Sequence, residues 1–241
     1  RLTTTATKAR RLLEAGADRV VVVPATRDLL SREPERFVEE VLVGRFAPRY
    51  VVEGPNFFFG RRRAGDAALL GRLGPRFGYR LEVVRPVQMD IDGEVRRVSS
   101  TTIRGLLAEG RVADAAAALG HPHEVVGPVV RGDGMGRRMH FPTVNVEPGD
   151  QMLPADGVYA GRAEIAGRTY AAAVSVGTKP TFGRGPRLLE AHLLDAEGDF
   201  YGQEASVRFI EYLRPQHTYA GRADLAGQIE RDVQRVRELC S

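Results

Sequence analysis

A change in hydrophobic pattern at Gly120-His121-Pro122 divides the chain and limits what it can fold into. Before this point, segments of helical periodicity alternate with short β-branched runs, which is typical of a parallel sheet with crossover helices. After it, short alternating segments separated by Gly and Pro follow one another at the spacing of a small antiparallel barrel. We therefore predict an α/β domain over residues 1–121 and a β-barrel domain with a C-terminal helix over residues 122–241.

Turn and capping residues place the individual elements of both domains. In the first domain we predict helices over 6–15, 34–43 and from Ala67, with Asp66 as the cap of the last, and strands over 20–23, 50–53 and 81–87. The run Val20 to Val23 is continuous and β-branched, which indicates a strand buried on both faces. In the second domain we predict strands over 123–131, 157–165, 168–176, 188–195 and 203–212, and a helix from about Arg222.

Composition excludes several classes of protein. No apolar run approaches the roughly 18 residues of a membrane span, and the chain has one cysteine, Cys240. We expect a soluble protein of a reducing compartment, hence cytoplasmic, with no membrane partner. The basic excess is carried by arginine in the first half, where it favours either an anionic ligand or a solvated surface. Arginines are not interleaved with aromatic residues as in single-strand binders, so no nucleic-acid partner is expected.

A glycine-rich stretch at 132–137 is the first candidate for chemistry. Gly132, Gly134 and Gly136 alternate with Asp133 and Met135, so that backbone N–H groups can turn toward one point and hold phosphate oxygens. Arg137 follows directly and can add a charged contact to the same anion. A flexible connection between strands explains the glycines equally well.

A short polar pair follows this stretch at Thr143 and Asn145. Residues two apart in an extended segment point to the same side, so the Thr143 hydroxyl and the Asn145 carbonyl project together. Two neutral oxygens beside phosphates suit Mg²⁺. Ordinary turn chemistry is the alternative for such a pair.

Glu190 and His192 share one face of a predicted strand and alternate with apolar neighbours. A carboxylate aimed at a metal-bound triphosphate can take the proton of an attacking hydroxyl, whereas a strand carboxylate is otherwise a surface or ion-pair residue. We expect a structural role for His192.

Two further stretches lie in the first half of the chain. Ser99, Ser100, Thr101 and Arg104 begin a predicted helix, where they could bind phosphate or simply cap the helix. Asn56 lies in an aromatic loop after a predicted strand, at the edge of an α/β sheet where ligands usually bind.

Taken in order, these stretches resemble the prokaryotic bifunctional riboflavin kinase/FMN adenylyltransferases, also called FAD synthetases. The resemblance runs from about Leu2 to Leu239, and its kinase half is carried by several motifs. They are the glycine loop, Pro-Thr-x-Asn at 142–145, Gly-Val-Tyr-Ala at 157–160, Val-Gly-Thr-Lys-Pro-Thr-Phe at 176–182, Leu-Glu-x-His-Leu-Leu-Asp at 189–195 and Asp-Phe-Tyr-Gly at 199–202.

The resemblance implies a fold, two reactions and residue roles. It implies a nucleotidyltransferase-type, Rossmann-like parallel α/β domain followed by a riboflavin kinase barrel. The kinase would phosphorylate riboflavin with ATP to give FMN, with Thr143 and Asn145 as ligands of Mg²⁺·ATP and Glu190 as the base. The loop at 132–137 would cover the phosphates. Asn56 would serve the flavin, and the 99–104 stretch ATP, in converting FMN to FAD.

The sequence departs from the family pattern at three places. Val144 and His140 replace a usual Ala and Gly, and the family's N-terminal Gly-x-Phe-Asp-Gly-x-His-x-Gly-His stretch is absent from the sequence. We therefore expect an N-terminally truncated member that has kinase activity, while adenylyl transfer by this chain stays open. Two alternatives also stay open, a flavin-binding protein without turnover and a nucleotidyltransferase for another substrate. The sequence does not decide whether the chain forms homo-oligomers.

Overall fold

A computed structural model describes residues 1–132, 143–178, 187–219 and 221–240. The chain forms two compact units, one of residues 19–88 and the other of residues 1–18 together with 89–241. These units do not coincide with the ranges 1–121 and 122–241, because the two helices before residue 121 pack into the same core as the barrel. The boundary at 121/122 stays a prediction.

The unit of residues 19–88 contains a small parallel sheet and helices. Its strands β1 (Tyr50–Glu53) and β4 (Arg80–Val83) pair in parallel, as the strands at 50–53 and 81–87 were expected to. The remaining elements are α2 (Arg27–Ser31), α3 (Pro34–Arg36), a π-helical stretch (Phe37–Val43), α4 (Gly44–Phe46), β2 (Phe58–Phe59), a 3₁₀ turn (Arg61–Arg63), β3 (Gly65–Asp66) and α5 (Ala67–Phe77). Asp66 caps α5 as predicted, accepting from the Leu69 N–H at 2.7 Å. Val38, Phe59 and Leu70 lie in the core of this unit.

The expectation of a buried strand at Val20 to Val23 is wrong. This stretch is in no strand, and Val21 and Val22 are 53% and 62% exposed. A β-branched run forms a buried strand only where a neighbouring strand satisfies its backbone, and none of the described strands pairs with it.

The second unit begins with α1 (Thr5–Glu14), which matches the predicted helix over 6–15. It continues with a hairpin of β5 (Gln88–Ile91) and β6 (Glu94–Arg97) and with α6 (Ser100–Ala108) and α7 (Val112–Leu119). The hairpin was not predicted, although Asp92 and Gly93, both at positive φ, form the kind of tight turn that an Asp-Gly pair favours.

The described strands of this unit form a closed six-stranded barrel, which confirms the predicted antiparallel barrel and adds the strand at 143–146 to the five predicted strands. Its strands are β7 (His123–Val130), β8 (Thr143–Val146), β9 (Gly157–Ile165), β10 (Arg168–Gly177), β11 (Leu188–Leu193) and β12 (Glu204–Arg214). The order around the barrel is β10-β11-β8-β7-β12-β9, and all pairs are antiparallel. Ala166 and Gly167, both at positive φ, form the predicted turn between β9 and β10.

Alternation along the strands fills the barrel with apolar side chains. Tyr159 and Phe209 are the largest side chains buried there, with their rings edge to face at 5.3 Å. The C-terminal helix α8 (Arg222–Cys240) packs outside the barrel, where Val236 is fully buried against Ala160 and Leu194. This agrees with the helix predicted from about Arg222.

A buried carboxylate joins α1 to the barrel. The side chain of Glu124 on β7 is only 2% exposed and accepts from Arg10 at 2.5 Å and from Ser206 at 2.5 Å. Arg11 and Arg208 each approach it at 3.3 Å. Burial alone would raise the pKa of Glu124, but the Ser206 hydrogen bond and the three arginines outweigh it and hold that pKa below its ordinary value. The negative charge of Glu124 therefore stabilises the packing of α1 against the barrel.

Candidate functional site

Strand β8 presents two of the predicted site residues on the outside of the barrel. Val144 and Val146 are buried in the core, whereas Thr143 and Asn145 between them are half-buried. The strand alternates because one face must fill the barrel, and this places both polar side chains on the outer face as predicted.

Strand β11 brings Glu190 to the same outer face. In the antiparallel register Glu190 pairs with Asn145, and His192 pairs with Thr143. Side chains of directly opposed residues lie about 5 Å apart at their Cβ atoms and on the same side of the sheet. The structure therefore brings Thr143, Asn145 and Glu190 together from segments that are 45 residues apart in sequence.

Gly132 lies directly against the Asn145 side chain. A Cβ atom at Gly132 would come within 2.3 Å of Asn145 Nδ2 and 2.7 Å of Asn145 Cγ. A glycine is required here by close approach, because any larger residue would occupy the space that the Asn145 amide fills. The other predicted loop residues, Asp133, Gly134, Gly136 and Arg137, fall outside the described residues.

A cavity of about 280 Å³ opens on the Thr143 side of this cluster. Thr143 and Asn145 line one wall, and Phe200 and Tyr201 line another. The guanidinium of Arg131 lies 5.7 Å from the centroid of the Tyr201 ring, one of the two aromatic rings that line the cavity, so a positive charge is held near the cavity wall. The arrangement suits a planar base with attached phosphates.

A second cavity, of about 310 Å³, opens on the Glu190 side. It is lined by Glu190, Ser175 and Gln216, among others, and Gln216 Nε2 donates to Ser175 Oγ at 2.9 Å. Sequence reasoning missed Ser175 and Gln216, because neither stands in a motif and the pairing of β10 with β11 is visible only in the fold.

The oxygen atoms of the cluster fit a hard divalent cation. A threonine hydroxyl, an amide carbonyl and a carboxylate from two adjacent strands are the ligand types that Mg²⁺ accepts, usually completed by phosphate and water. Among the described residues no group of three His, Cys, Asp or Glu side chains could hold a metal by itself. The assignment of a metal to the Thr143–Asn145 pair stays a prediction.

The predicted phosphate-binding helix start is well capped. Ser99 Oγ accepts from the Thr102 N–H at 3.2 Å and also contacts Thr102 Oγ1 at 2.9 Å. Ser100, Thr101 and Arg104 in the first turns of α6 are exposed. These contacts support the interpretation of Ser99 as a helix cap. The exposed side chains of Ser100, Thr101 and Arg104 are accessible to a ligand.

Asn56 lies in the other compact unit, in the loop between β1 and β2. Its side chain is exposed, and the neighbouring Phe57 and Phe59 rings stack at 5.5 Å and pack into the core of that unit. The structure thus accounts for two of the three loop phenylalanines as core residues and leaves Asn56 accessible.

None of the helices in the described ranges is long and apolar enough to cross a membrane.

Comparison with known proteins places this architecture in a family. A riboflavin kinase model matches residues 119–240, and an FAD synthetase model matches residues 1–102. Bifunctional riboflavin kinase/FMN adenylyltransferase from Escherichia coli K12 is 35% identical over 99% of this chain and 75% of its own length. The protein of the same description from Haemophilus influenzae is 33% identical over 94% of this chain and 72% of its own length.

A solved structure from Streptococcus pneumoniae, described as a macrolide-efflux protein, superposes with a TM-score of 0.84. It is 27% identical, covering 98% of this chain and 75% of that one. The two family models define the class as an enzyme that joins an FAD synthetase domain to a riboflavin kinase barrel. More particularly, this chain belongs to the family of bifunctional riboflavin kinase/FMN adenylyltransferases.

Proposed function

We propose that the barrel transfers the γ-phosphoryl group of ATP to the 5′-hydroxyl of riboflavin, giving FMN and ADP. The observation that carries this proposal is the register pair of Asn145 and Glu190 on adjacent strands, with Thr143 one step along the same face. It sets two neutral oxygen ligands beside one carboxylate, between two cavities. The family membership supports the same reaction.

Each of the two cavities binds one of the substrates. The nucleotide enters the cavity lined by Phe200 and Tyr201, with its phosphates directed toward Asn145. The sugar-alcohol chain of riboflavin enters the cavity on the other side, so that its terminal hydroxyl reaches Glu190. The attacking oxygen and the γ-phosphorus then approach each other across the β8–β11 pair.

Each side chain has one task in this mechanism. The Glu190 carboxylate accepts the proton of the riboflavin 5′-hydroxyl. At the same time the hydroxyl oxygen bonds to the γ-phosphorus, and the bond between the γ-phosphorus and the ADP oxygen breaks. Thr143 and Asn145 would hold Mg²⁺, which when bound neutralises phosphate charge. Gly132 keeps the Asn145 amide in position by close contact. Most of the acceleration then comes from orientation and charge neutralisation.

The second reaction of the family converts FMN and ATP to FAD and diphosphate. Asn56 is the candidate flavin residue for it, and the exposed Ser100, Thr101 and Arg104, with Ser99, are the candidate ATP residues. The proposed enzyme is cytoplasmic, and the proposal involves no nucleic acid or membrane.

Glu190→Gln tests the kinase proposal. The variant should bind riboflavin and Mg²⁺·ATP normally but form FMN roughly 10²–10⁴ times more slowly, the scale expected for loss of a general base. Glu204→Gln is the matched control, since Glu204 is an exposed strand carboxylate of the same barrel outside both cavities. Products are resolved by chromatography as FMN and FAD.

Each product pattern has a distinct meaning. FMN from the wild type and not from Glu190→Gln supports the mechanism, and FAD in addition assigns the second reaction to this chain. Flavin binding without either product would favour a binding protein. Full activity of Glu190→Gln would remove Glu190 from its role.

A further inference from the structure

The strand on the other side of Glu190 carries a second polar residue, Ser175. The β10–β11 register pairs Ser175 with Glu190, and both residues are half-buried between buried neighbours. Both therefore project from the outer face of the barrel, and both line the same cavity. Three polar residues therefore lie side by side on adjacent strands: Ser175 on β10, Glu190 on β11 and Asn145 on β8.

Gln216 fixes the Ser175 hydroxyl from outside the barrel. It follows β12 by two residues, and its Nε2 donates to Ser175 Oγ at 2.9 Å. The space for its amide exists because residue 177 is a glycine: a Cβ atom there would lie 2.2 Å from Gln216 Oε1 and 2.7 Å from Nε2. The same kind of close approach thus occurs on both sides of Glu190, at Gly177 and at Gly132.

Arg214 anchors the segment that carries Gln216. Its Nε and Nη2 donate to the Asp232 carboxylate of α8 at 3.0 and 2.6 Å, and Asp232 is itself buried. Its Nη1 donates to the Pro215 carbonyl at 3.0 Å. Arg214 therefore links the segment before Gln216 to the C-terminal helix. This link restrains the backbone from which the Gln216 side chain reaches Ser175.

We propose that Ser175 and Gln216 are positioning residues that orient the Glu190 carboxylate toward the riboflavin hydroxyl. A serine hydroxyl has one proton to donate, and its oxygen can accept. Because Gln216 already donates to that oxygen, the proton of Ser175 is directed to another acceptor. The carboxylate of Glu190, an acceptor when ionised, stands at the paired position on the next strand.

This arrangement serves the base without touching the substrate phosphates. In this proposal the Glu190 carboxylate receives the Ser175 proton, which fixes the rotamer in which the carboxylate faces the attacking hydroxyl. The inference rests on the proposed kinase function, since Ser175 and Gln216 are proposed to orient Glu190, the general base of that reaction.

The test compares Ser175→Ala, Gln216→Ala and the double variant in steady-state FMN formation. Each single variant should lower kcat roughly tenfold, the scale of one hydrogen bond to a charged group, with unchanged KM for ATP and riboflavin. Because Gln216 acts on Glu190 only through Ser175, removing both side chains should lower kcat no further than the more harmful single substitution does. Ser175→Thr keeps the hydroxyl and should recover most of kcat.

Controls separate positioning from folding and from the kinase proposal itself. Thr169→Ala removes an exposed hydroxyl of the same strand outside the cavity and should leave kcat unchanged. In a Glu190→Gln background, Ser175→Ala should have no further effect. If Glu190→Gln is slow but Ser175→Ala has wild-type kcat, the inference is overturned and the kinase proposal stands. If Glu190→Gln is fully active, the base assignment fails first.

Two other outcomes also count against the inference. Losses that multiply in the double variant would mean independent structural effects, and raised KM with unchanged kcat would mean that the residues bind substrate. If Gln216→Ala lowers the melting temperature markedly, Ser175→Ala and its Thr rescue decide the matter alone.

Discussion

Replacing Gly132 by alanine should disable the site without unfolding the barrel. The added Cβ would lie 2.3 Å from Asn145 Nδ2 and 2.9 Å from Asn145 Oδ1. Ordinary contact begins near 3.4 Å, so the amide must withdraw by about 1 Å, a displacement that can lower a rate by about 10²-fold. Asn145 is half-buried on the outer face, so its side chain can rotate away while the backbone and core stay in place.

The assay is FMN formation at saturating riboflavin and increasing Mg²⁺·ATP. Gly132→Ala should lower kcat by about 10², with a melting temperature close to that of the wild type. Gly105→Ala is the matched control, because a Cβ there meets no atom within 4 Å. A kcat within threefold of the wild type, in a folded sample, would refute the argument that Gly132 holds the Asn145 amide in its working position.

Two further predictions concern stability and are measured by urea unfolding. Glu124→Gln should destabilise the protein by about 2 kcal/mol, since it removes the buried charge that Arg10, Arg11 and Arg208 share and leaves these arginines only their pairs with Glu14 and Glu164. Because the pKa of Glu124 is lowered in the folded state, its stabilisation is complete above the ordinary carboxyl range and is lost as the pH falls through the folded-state pKa. The wild type should therefore lose its advantage over Glu124→Gln on acidification; an advantage independent of pH would contradict the ion-pair argument. Phe209→Ala should destabilise by about 3–5 kcal/mol, because Phe209 is fully buried against Tyr159 and His123, and a loss below 1 kcal/mol would show that the barrel core repacks around the cavity.

Local patterns were sufficient to predict most elements of the fold. Alternation of buried and more exposed positions places β11 and β12 in the sequence, and capping residues such as Asp66 mark where helices begin. These signals are local, since side-chain direction and cap hydrogen bonds involve residues a few positions apart. The Val20 to Val23 run failed because burial of a strand depends on a neighbour, which a local pattern does not contain.

The candidate site was predictable only in part for the same reason. Strand periodicity correctly predicted that Thr143 and Asn145 share one face of β8, and the prediction of Glu190 as the base came from its place in a family motif. Their adjacency, however, depends on which strands are neighbours in the barrel, and β8 and β11 are not consecutive in the chain. Gln216 could not be found from sequence, because the role proposed for it depends on its contacts with Gly177 and Ser175 on another strand.

The pairing of β11 with both β8 and β10 has a consequence for how the protein gains activity as it folds. The hairpin of β9 and β10 closes over a two-residue turn, but Asn145 and Glu190 meet only after a much longer loop has closed. Contacts of long sequence separation form late because chain entropy must be lost before they contribute. During refolding, strand content should therefore recover first, and turnover should return in a later, slower phase.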